Sequence, residues 1–121
     1  MEVLRTELME VGKNTILSRL CHQAKNLYNR ANYLYKQQKK KKKYLSYYEL
    51  NTILKGEACY RVLPAHTAQQ TLKLLIRNWK AFYRARKEYA KSPVKFVAEP
   101  RPPKYKPKNG EMVIKQEILF M

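Results

Sequence analysis

Six basic side chains recur at helical spacing in the second half of the sequence. They step by four, three, four, three and four residues, which would place all six in one line along a helix. The line extends over roughly 25 Å, at a rise of about 1.5 Å per residue, and suits repeated contacts with a phosphate backbone. A solvated helix face normally mixes charges, yet Glu88 is the one acid in this stretch. We therefore favour phosphate as the partner of this basic row, which comprises Lys73, Arg77, Lys80, Arg84, Lys87 and Lys91.

A second basic tract lies in the first half of the sequence. An unbroken run of five lysines follows Lys36, Gln37 and Gln38. Like charges at this density destabilise a helix, so the sequence predicts a loop over 36–43. The loop would either tether two helices in solvent or contact phosphates as a flexible tract, and these two roles are compatible. The run consists of Lys39, Lys40, Lys41, Lys42 and Lys43.

The charge of the whole chain agrees with a polyanionic partner. Its 121 residues include 26 Lys and Arg against 9 acidic residues, a net charge of +17 that opposes compaction unless a polyanion neutralises it. Nucleic acid is the expected polyanion, because counterion release on phosphate neutralisation supplies most non-specific affinity. An anionic membrane surface is the competing partner. No apolar run is long enough to span a bilayer, and we expect RNA and DNA as partners but no membrane.

No group of residues has the composition of a catalytic or metal site. All nine acidic residues are Glu and they are scattered, whereas metal-dependent phosphoryl transfer clusters its carboxylates and commonly includes Asp. Cys21 and Cys59 are expected to be small buried residues in a reducing cytoplasm, and His22 and His66 complete no zinc spacing. We therefore expect no enzymatic activity, no metal and no cofactor.

Three amphipathic helices are predicted to position the basic residues. The first runs from 15 to about 38, and the second begins with the capping-box pattern of Ser46 and Glu49 and stops near Gly56. The third runs from about 64 to 90, and its broad apolar face lies on the opposite side from the basic row. That face comprises Ala68, Leu72, Leu75, Ile76, Trp79, Phe82, Tyr83 and Ala90.

Short strands are predicted on both sides of the helices. The alternation at 3–11, the sequence V-K-F-V at 94–97 and the apolar segment 111–121 each favour a strand. The predicted fold class is therefore α+β, mainly α, with a helical lobe of about three helices and short flanking strands.

A single domain of 121 residues is expected, in three parts. A strand occupies 1–12, the helical lobe 14–91, and a Pro-rich basic segment with the terminal strand 92–121. The terminal strand is apolar up to Met121 and invites pairing with another chain. We therefore expect a truncated or fragmentary protein.

The order of five short motifs resembles a known family. The motifs are L-Y-N at 27–29, S-Y-Y-E-L at 46–50, L-P-A-H-T-A-Q-Q-T-L at 63–72, W-K-A-F-Y-R-A-R-K at 79–87 and P-R-P-P-K-Y-K at 100–106. Together they resemble the N-terminal part of the TnpB-type proteins of insertion sequences. These are labelled transposases or helix-turn-helix domains and are similar to type V CRISPR RNA-guided nucleases. The family usually has a glycine near the Pro-Arg of 100–101, which this sequence lacks.

The resemblance implies an oligonucleotide-binding-like wedge of strands with an inserted helical recognition lobe. Basic faces of the lobe would contact a guide RNA and its heteroduplex with DNA. Arg101, Lys104, Tyr105 and Lys106 would belong to a wedge segment that holds RNA. The nuclease half that normally follows, with its carboxylate triad and zinc-binding cysteines, has no counterpart in this sequence. The chain would thus be a binding module of a transposon-associated RNA-guided endonuclease, not catalytic alone, in the cytoplasm at the nucleoid.

Two other functions remain open. A helix-turn-helix domain could read the ends of the element in DNA recombination, with Gln69 and Gln70 near the start of the third helix as the residues that contact bases. Alternatively, the chain could be an accessory subunit whose terminal strand completes a separate nuclease chain or a second copy.

Overall fold

Four α-helices make up most of the described part of the protein. The computed structural model describes the backbone of residues 16–107 and the side chains of residues 18–107. The helices are α1 (Ile16–Lys40), α2 (Tyr47–Leu54), α3 (Ala58–Arg61) and α4 (Ala65–Lys91), and a short 3₁₀ helix (Pro93–Lys95) follows them. An extended Pro-rich segment, residues 100–107, then lies along α1 and hydrogen-bonds to it.

The two long helices run parallel and share most of the core. Side-chain hydrogen bonds join Tyr28 to Asn78 and Tyr35 to Tyr83, so the chain direction of α1 and α4 is the same. Helices α2 and α3 connect them and pack against both. Burial of each large apolar side chain stabilises the fold by about 1.5–3 kcal/mol. The largest fully buried side chains include Trp79, Tyr28, Leu27, Leu50, Leu54, Leu72 and Leu75.

The amphipathic pattern correctly predicted the two long helices. Along α1 the positions at steps of three and four are buried, as Ala24, Leu27 and Ala31 show. Along α4 the apolar face is buried from Ala68 to Phe82, while Ala90 is exposed.

The short helix α2 begins as its sequence predicted. The Ser46 hydroxyl accepts from the Glu49 N–H at 3.2 Å, and the Glu49 carboxylate accepts from the Ser46 N–H at 3.2 Å, which completes the capping box. The four-residue helix α3 was not predicted, because so short an element has no periodic pattern. It buries Tyr60, whose hydroxyl donates to Asn51 Oδ1 at 2.6 Å.

The predicted loop over 36–43 is wrong for residues 36–40, because α1 continues to Lys40. The helix ends in a Schellman motif, in which the Lys43 N–H donates to the Gln38 carbonyl and the Lys42 N–H to the Lys39 carbonyl. Lys42 takes the left-handed conformation, with φ of 61°. The charge repulsion that argued against a helix is offset by contacts of Lys36 and Lys39 with aromatic rings and by the favourable position of cations at a helix C-terminus.

The predicted α+β fold class is also wrong, since residues 16–107 contain helices and no strand. The stretch 94–97 was expected to be a strand, but Pro93 fixes the first position of a 3₁₀ helix there. Val94 is 94% exposed and no strand of the described chain pairs with it. Within residues 16–107, therefore, no flanking strand of a wedge is seen. The other two predicted strands, at 3–11 and 111–121, lie outside the described residues.

Candidate nucleic-acid interface

The basic row lies on the exposed face of α4. Its six side chains are all exposed, and they lie on the side of the helix away from Leu72, Leu75 and Trp79 in the core. At one end, the Lys73 ammonium lies 5.2 Å from the centre of the Tyr47 ring of α2. The helix thus presents six exposed cations along one face, with the exposed Glu88 next to Lys87 in sequence.

The lysine run divides into two parts with different surroundings. Lys40, Lys41, Lys42 and Lys43 are exposed, whereas Lys39 is partly buried. The Lys39 ammonium lies 5.1 Å from the centre of the Trp79 ring and 5.7 Å from that of Tyr83. These cation–π contacts hold Lys39 against α4. Lys39 therefore helps to join α1 to α4 and also adds positive charge to the surface.

Two asparagines of α1 hold the Pro-rich segment by its backbone. The Asn29 amide accepts from the Lys106 N–H at 2.7 Å and donates to the Lys106 carbonyl at 3.1 Å. One turn later, Asn32 donates to the Pro103 carbonyl at 3.2 Å and accepts from the Trp79 indole N–H at 3.0 Å. Asn32 is fully buried, and these two bonds satisfy its amide inside the core.

The side chains of the Pro-rich segment add further cation–π contacts. The Lys36 ammonium lies 4.2 Å from the centre of the Tyr105 ring, and the Lys106 ammonium lies 5.1 Å from that of Tyr28. Burial, with a smaller contribution from the charge of Lys39, lowers the pKa of Lys36. Arg101 and Lys104 are exposed. The segment therefore carries its cations in a fixed position beside α1 and α4.

Two open grooves flank α4. The proline groove, of about 680 Å³, lies beside the Pro-rich segment and has Arg101, Lys104 and Lys106 in its lining, together with Tyr28, Phe82 and Tyr105. The tyrosine groove, of about 590 Å³, lies near the C-terminal ends of α1 and α4. It is lined by Lys39, Tyr44, Tyr83, Arg86, Lys87 and Ala90. Lys87 belongs to both the basic row and this groove, so the two surfaces are continuous.

A cluster of tyrosines forms one wall of the tyrosine groove. The hydroxyls of Tyr35 and Tyr83 are 2.8 Å apart, and the Tyr44 ring meets the Tyr83 ring edge-on at 6.1 Å. Burial is the largest cause that raises the pKa of both Tyr35 and Tyr83. These hydroxyls stay protonated at neutral pH and act as fixed hydrogen-bonding groups.

Few carboxylates oppose these cations. Residues 18–107 contain four glutamates, Glu49, Glu57, Glu88 and Glu99. Glu49 caps α2, and Glu57 forms a two-bond ion pair with Arg30, at 3.0 and 3.3 Å. Hydrogen bonding to this carboxylate raises the pKa of Arg30. Glu49 and Glu57, two of the four, therefore bond to groups of the helical fold itself.

Candidate residues that are far apart in the sequence lie together in the two grooves. Lys39 and Lys87 meet in one groove, while Arg101, Lys104, Tyr105 and Lys106 line or border the other. Sequence reasoning missed Arg86 and Tyr44 in the tyrosine groove. It also missed Asn29 and Asn32, which together form a clamp on the backbone of the Pro-rich segment. The i, i+3 spacing of two asparagines on an otherwise apolar helix face was the available signal for the clamp.

Of Cys59, His66 and Thr67, which are close in sequence, Cys59 donates to the Glu57 carboxylate at 4.0 Å. Burial, with the nearby Glu57 charge, raises the pKa of the Cys59 thiol and disfavours its thiolate. Among the residues that the structure describes, no three His, Cys, Asp or Glu side chains are grouped so that they could hold a metal ion. Within the same residues, no helix combines the length and apolar character needed to cross a bilayer.

Comparisons of the chain with protein-family models, with curated proteins and with solved structures found no match.

Proposed function

We propose that this chain is an RNA-binding recognition module of a transposon-associated, RNA-guided endonuclease. It would hold a guide RNA and its hybrid with DNA by shape and charge, without cleaving either strand on its own. Such a module would act in the cytoplasm, at the nucleoid.

The observation that carries the proposal is the continuity of basic surface around α4. The row of six exposed cations joins the tyrosine groove through Lys87, and the other groove adds three cations of the Pro-rich segment. Like charges held this close on a rigid helix raise the free energy of the folded state unless a polyanion relieves them. A phosphate backbone provides negative charge at a spacing that matches such a row.

The alternative of a helix-turn-helix domain receives less support from the geometry. A recognition helix presents the side chains of its first turns to base edges. In α4 the first turns pack into the fold, with Thr67, Ala68 and Thr71 buried, and both Gln69 and Gln70 are partly buried.

The test is a comparison of two charge-reversed double variants. Lys80→Glu with Arg84→Glu alters the centre of the row, whereas Lys55→Glu with Lys95→Glu makes the same change in net charge at exposed sites outside it. We expect the row variant to bind an RNA hairpin at least about tenfold more weakly, whatever its sequence, and to lower the salt slope of log K by about 2. The control variant should bind almost as the wild type does.

Equal losses in the two variants would show that net charge alone determines binding and would overturn the assignment of the row. A footprint on one specific DNA duplex would favour the helix-turn-helix alternative. Strand cleavage by the purified chain with Mg²⁺ would overturn the proposal that it only binds.

A further inference from the structure

The tyrosine groove has a composition that the basic row does not explain. The dipoles of the parallel helices α1 and α4 both end near it with negative ends, which accounts for the lysines there. They do not account for Tyr44, whose side chain is 57% exposed beside three cations. An aromatic ring left open to solvent among cations is the arrangement that proteins use to stack nucleobases.

The wall behind Tyr44 is held by contacts with the core. Its ring meets Tyr83 at an interplanar angle of 81°, and Tyr83 is hydrogen-bonded to Tyr35 at 2.8 Å. Tyr83 also contacts the buried Trp79 ring, with the ring centres 5.8 Å apart. A base that stacks on Tyr44 would therefore meet a preformed surface, which keeps the entropic cost of binding low.

The charges of the groove suit a single phosphate group beside that base. Arg86 and Lys87 are both exposed and line the groove, and none of its lining residues is acidic. Lys39, held by the aromatic rings, adds a third cation. The groove volume of about 590 Å³ lies within the range of small-ligand pockets, about 300–1,000 Å³.

We propose that the tyrosine groove is a subsite for one unstacked nucleotide of a single RNA strand. The base stacks on Tyr44, and its phosphate lies beside Arg86 and Lys87. The inference rests on the proposed function, since it requires that the chain binds RNA, and it adds that one nucleotide leaves the helical stack. A duplex cannot use this subsite, because its base faces are covered by neighbouring pairs.

The test measures Tyr44 variants against single-stranded and duplex RNA by fluorescence anisotropy. The probes are an oligouridine of about 12 nucleotides and an RNA duplex of similar length. We expect Tyr44→Ala to weaken binding of the single strand about tenfold and to leave duplex binding unchanged. Tyr44→Phe keeps the stacking surface and should retain full affinity. Tyr48→Ala is the matched control, because Tyr48 is 78% exposed and lies outside the groove.

A photo-crosslink supplies a direct readout. Oligouridine that carries one 4-thiouridine should crosslink to a peptide that contains Tyr44, and the yield should fall in Arg86→Glu. Crosslinks confined to other peptides would contradict the subsite.

The outcomes separate this inference from the proposed function. If the wild type binds both RNAs and the Lys80→Glu, Arg84→Glu variant weakens both, the proposed function stands. Unchanged single-strand affinity in Tyr44→Ala would then overturn the subsite alone, as would an equal loss on the duplex. If the wild type binds neither RNA, both proposals fail.

Discussion

Asn29 and Lys106 lie 77 residues apart in the sequence, yet the amide of one pairs with the backbone of the other through two hydrogen bonds. The Asn29 side chain donates to the carbonyl and accepts from the N–H of the same residue, much as a neighbouring strand would. The Pro-rich segment, with its basic side chains, is therefore positioned by a polar side chain of α1.

The Asn29 contact should determine whether the Pro-rich segment stays docked. We expect Asn29→Ala to lower the free energy of unfolding by about 1–2 kcal/mol, because two partly buried hydrogen bonds are lost. The amide of Lys106 should lose its protection in hydrogen exchange measured by mass spectrometry. Asn26→Ala, at an exposed position one turn earlier in α1, is the control and should change neither quantity. Retained protection of Lys106 in Asn29→Ala would show that its side-chain contacts suffice for docking.

Docking and RNA binding should be coupled through Arg101 and Lys104. In the wild type, Arg101→Glu with Lys104→Glu should weaken RNA-hairpin binding about tenfold, because both exposed cations face the proline groove. In the Asn29→Ala background the same change should cost less, since a released segment no longer holds these charges in place. A double-mutant cycle of binding constants measures the difference. Strictly additive effects would contradict the coupling.

Lys42 should be a site where stability can be gained. A lysine in the left-handed conformation costs about 1–2 kcal/mol relative to glycine, which is the usual residue at this position of a Schellman motif. We expect Lys42→Gly to raise the free energy of unfolding in urea by about 1 kcal/mol. The neighbouring Lys41→Gly makes the same change in charge without relieving a positive φ, and it should be neutral or destabilising. Equal effects of the two substitutions would assign any gain to charge removal.

The Tyr35–Tyr83 pair should make stability fall at alkaline pH. Both pKa values are raised by burial, so the unfolded chain loses these protons near pH 10 while the folded chain keeps them. The stabilisation that they contribute is therefore complete below about pH 10 and is lost as the pH rises above it.

Urea unfolding at pH values from about 8 to about 11 tests this pH dependence. Tyr35→Phe with Tyr83→Phe removes both hydroxyls and should show a shallower decline with pH than the wild type. Tyr33→Phe with Tyr48→Phe, at two exposed tyrosines, should keep the wild-type slope. Identical slopes in both double variants would refute the contribution of the Tyr35–Tyr83 pair.

Local patterns in the sequence predicted the long helices but not the contacts between distant segments. Helices α1 and α4 and the cap of α2 follow from spacing and from neighbouring side chains. The strand expected at 94–97 depended on a sheet partner that local sequence does not specify, and Pro93 favoured a 3₁₀ helix instead.

For the candidate site, too, local sequence predicted the part within one helix but not the parts formed between distant segments. The basic row follows from one helical period. The clamp of Asn29 and Asn32 and the tyrosine groove depend on how α1, α4 and the Pro-rich segment are aligned, and their hydrogen bonds span 47–77 residues. The extension of α1 through Lys40 likewise depends on ring contacts made by Lys39 across the helix pair.

Trp79, the one tryptophan of the chain, connects these two regions. Its indole N–H is bonded to Asn32, which holds the Pro-rich segment, and its ring lies under the ammonium of Lys39, which lines the tyrosine groove. Indole emission responds both to loss of a hydrogen bond and to a change in a neighbouring positive charge. Release of the segment and binding in the groove would therefore both change the fluorescence of Trp79. Unlabelled protein would be enough to follow both events in one titration.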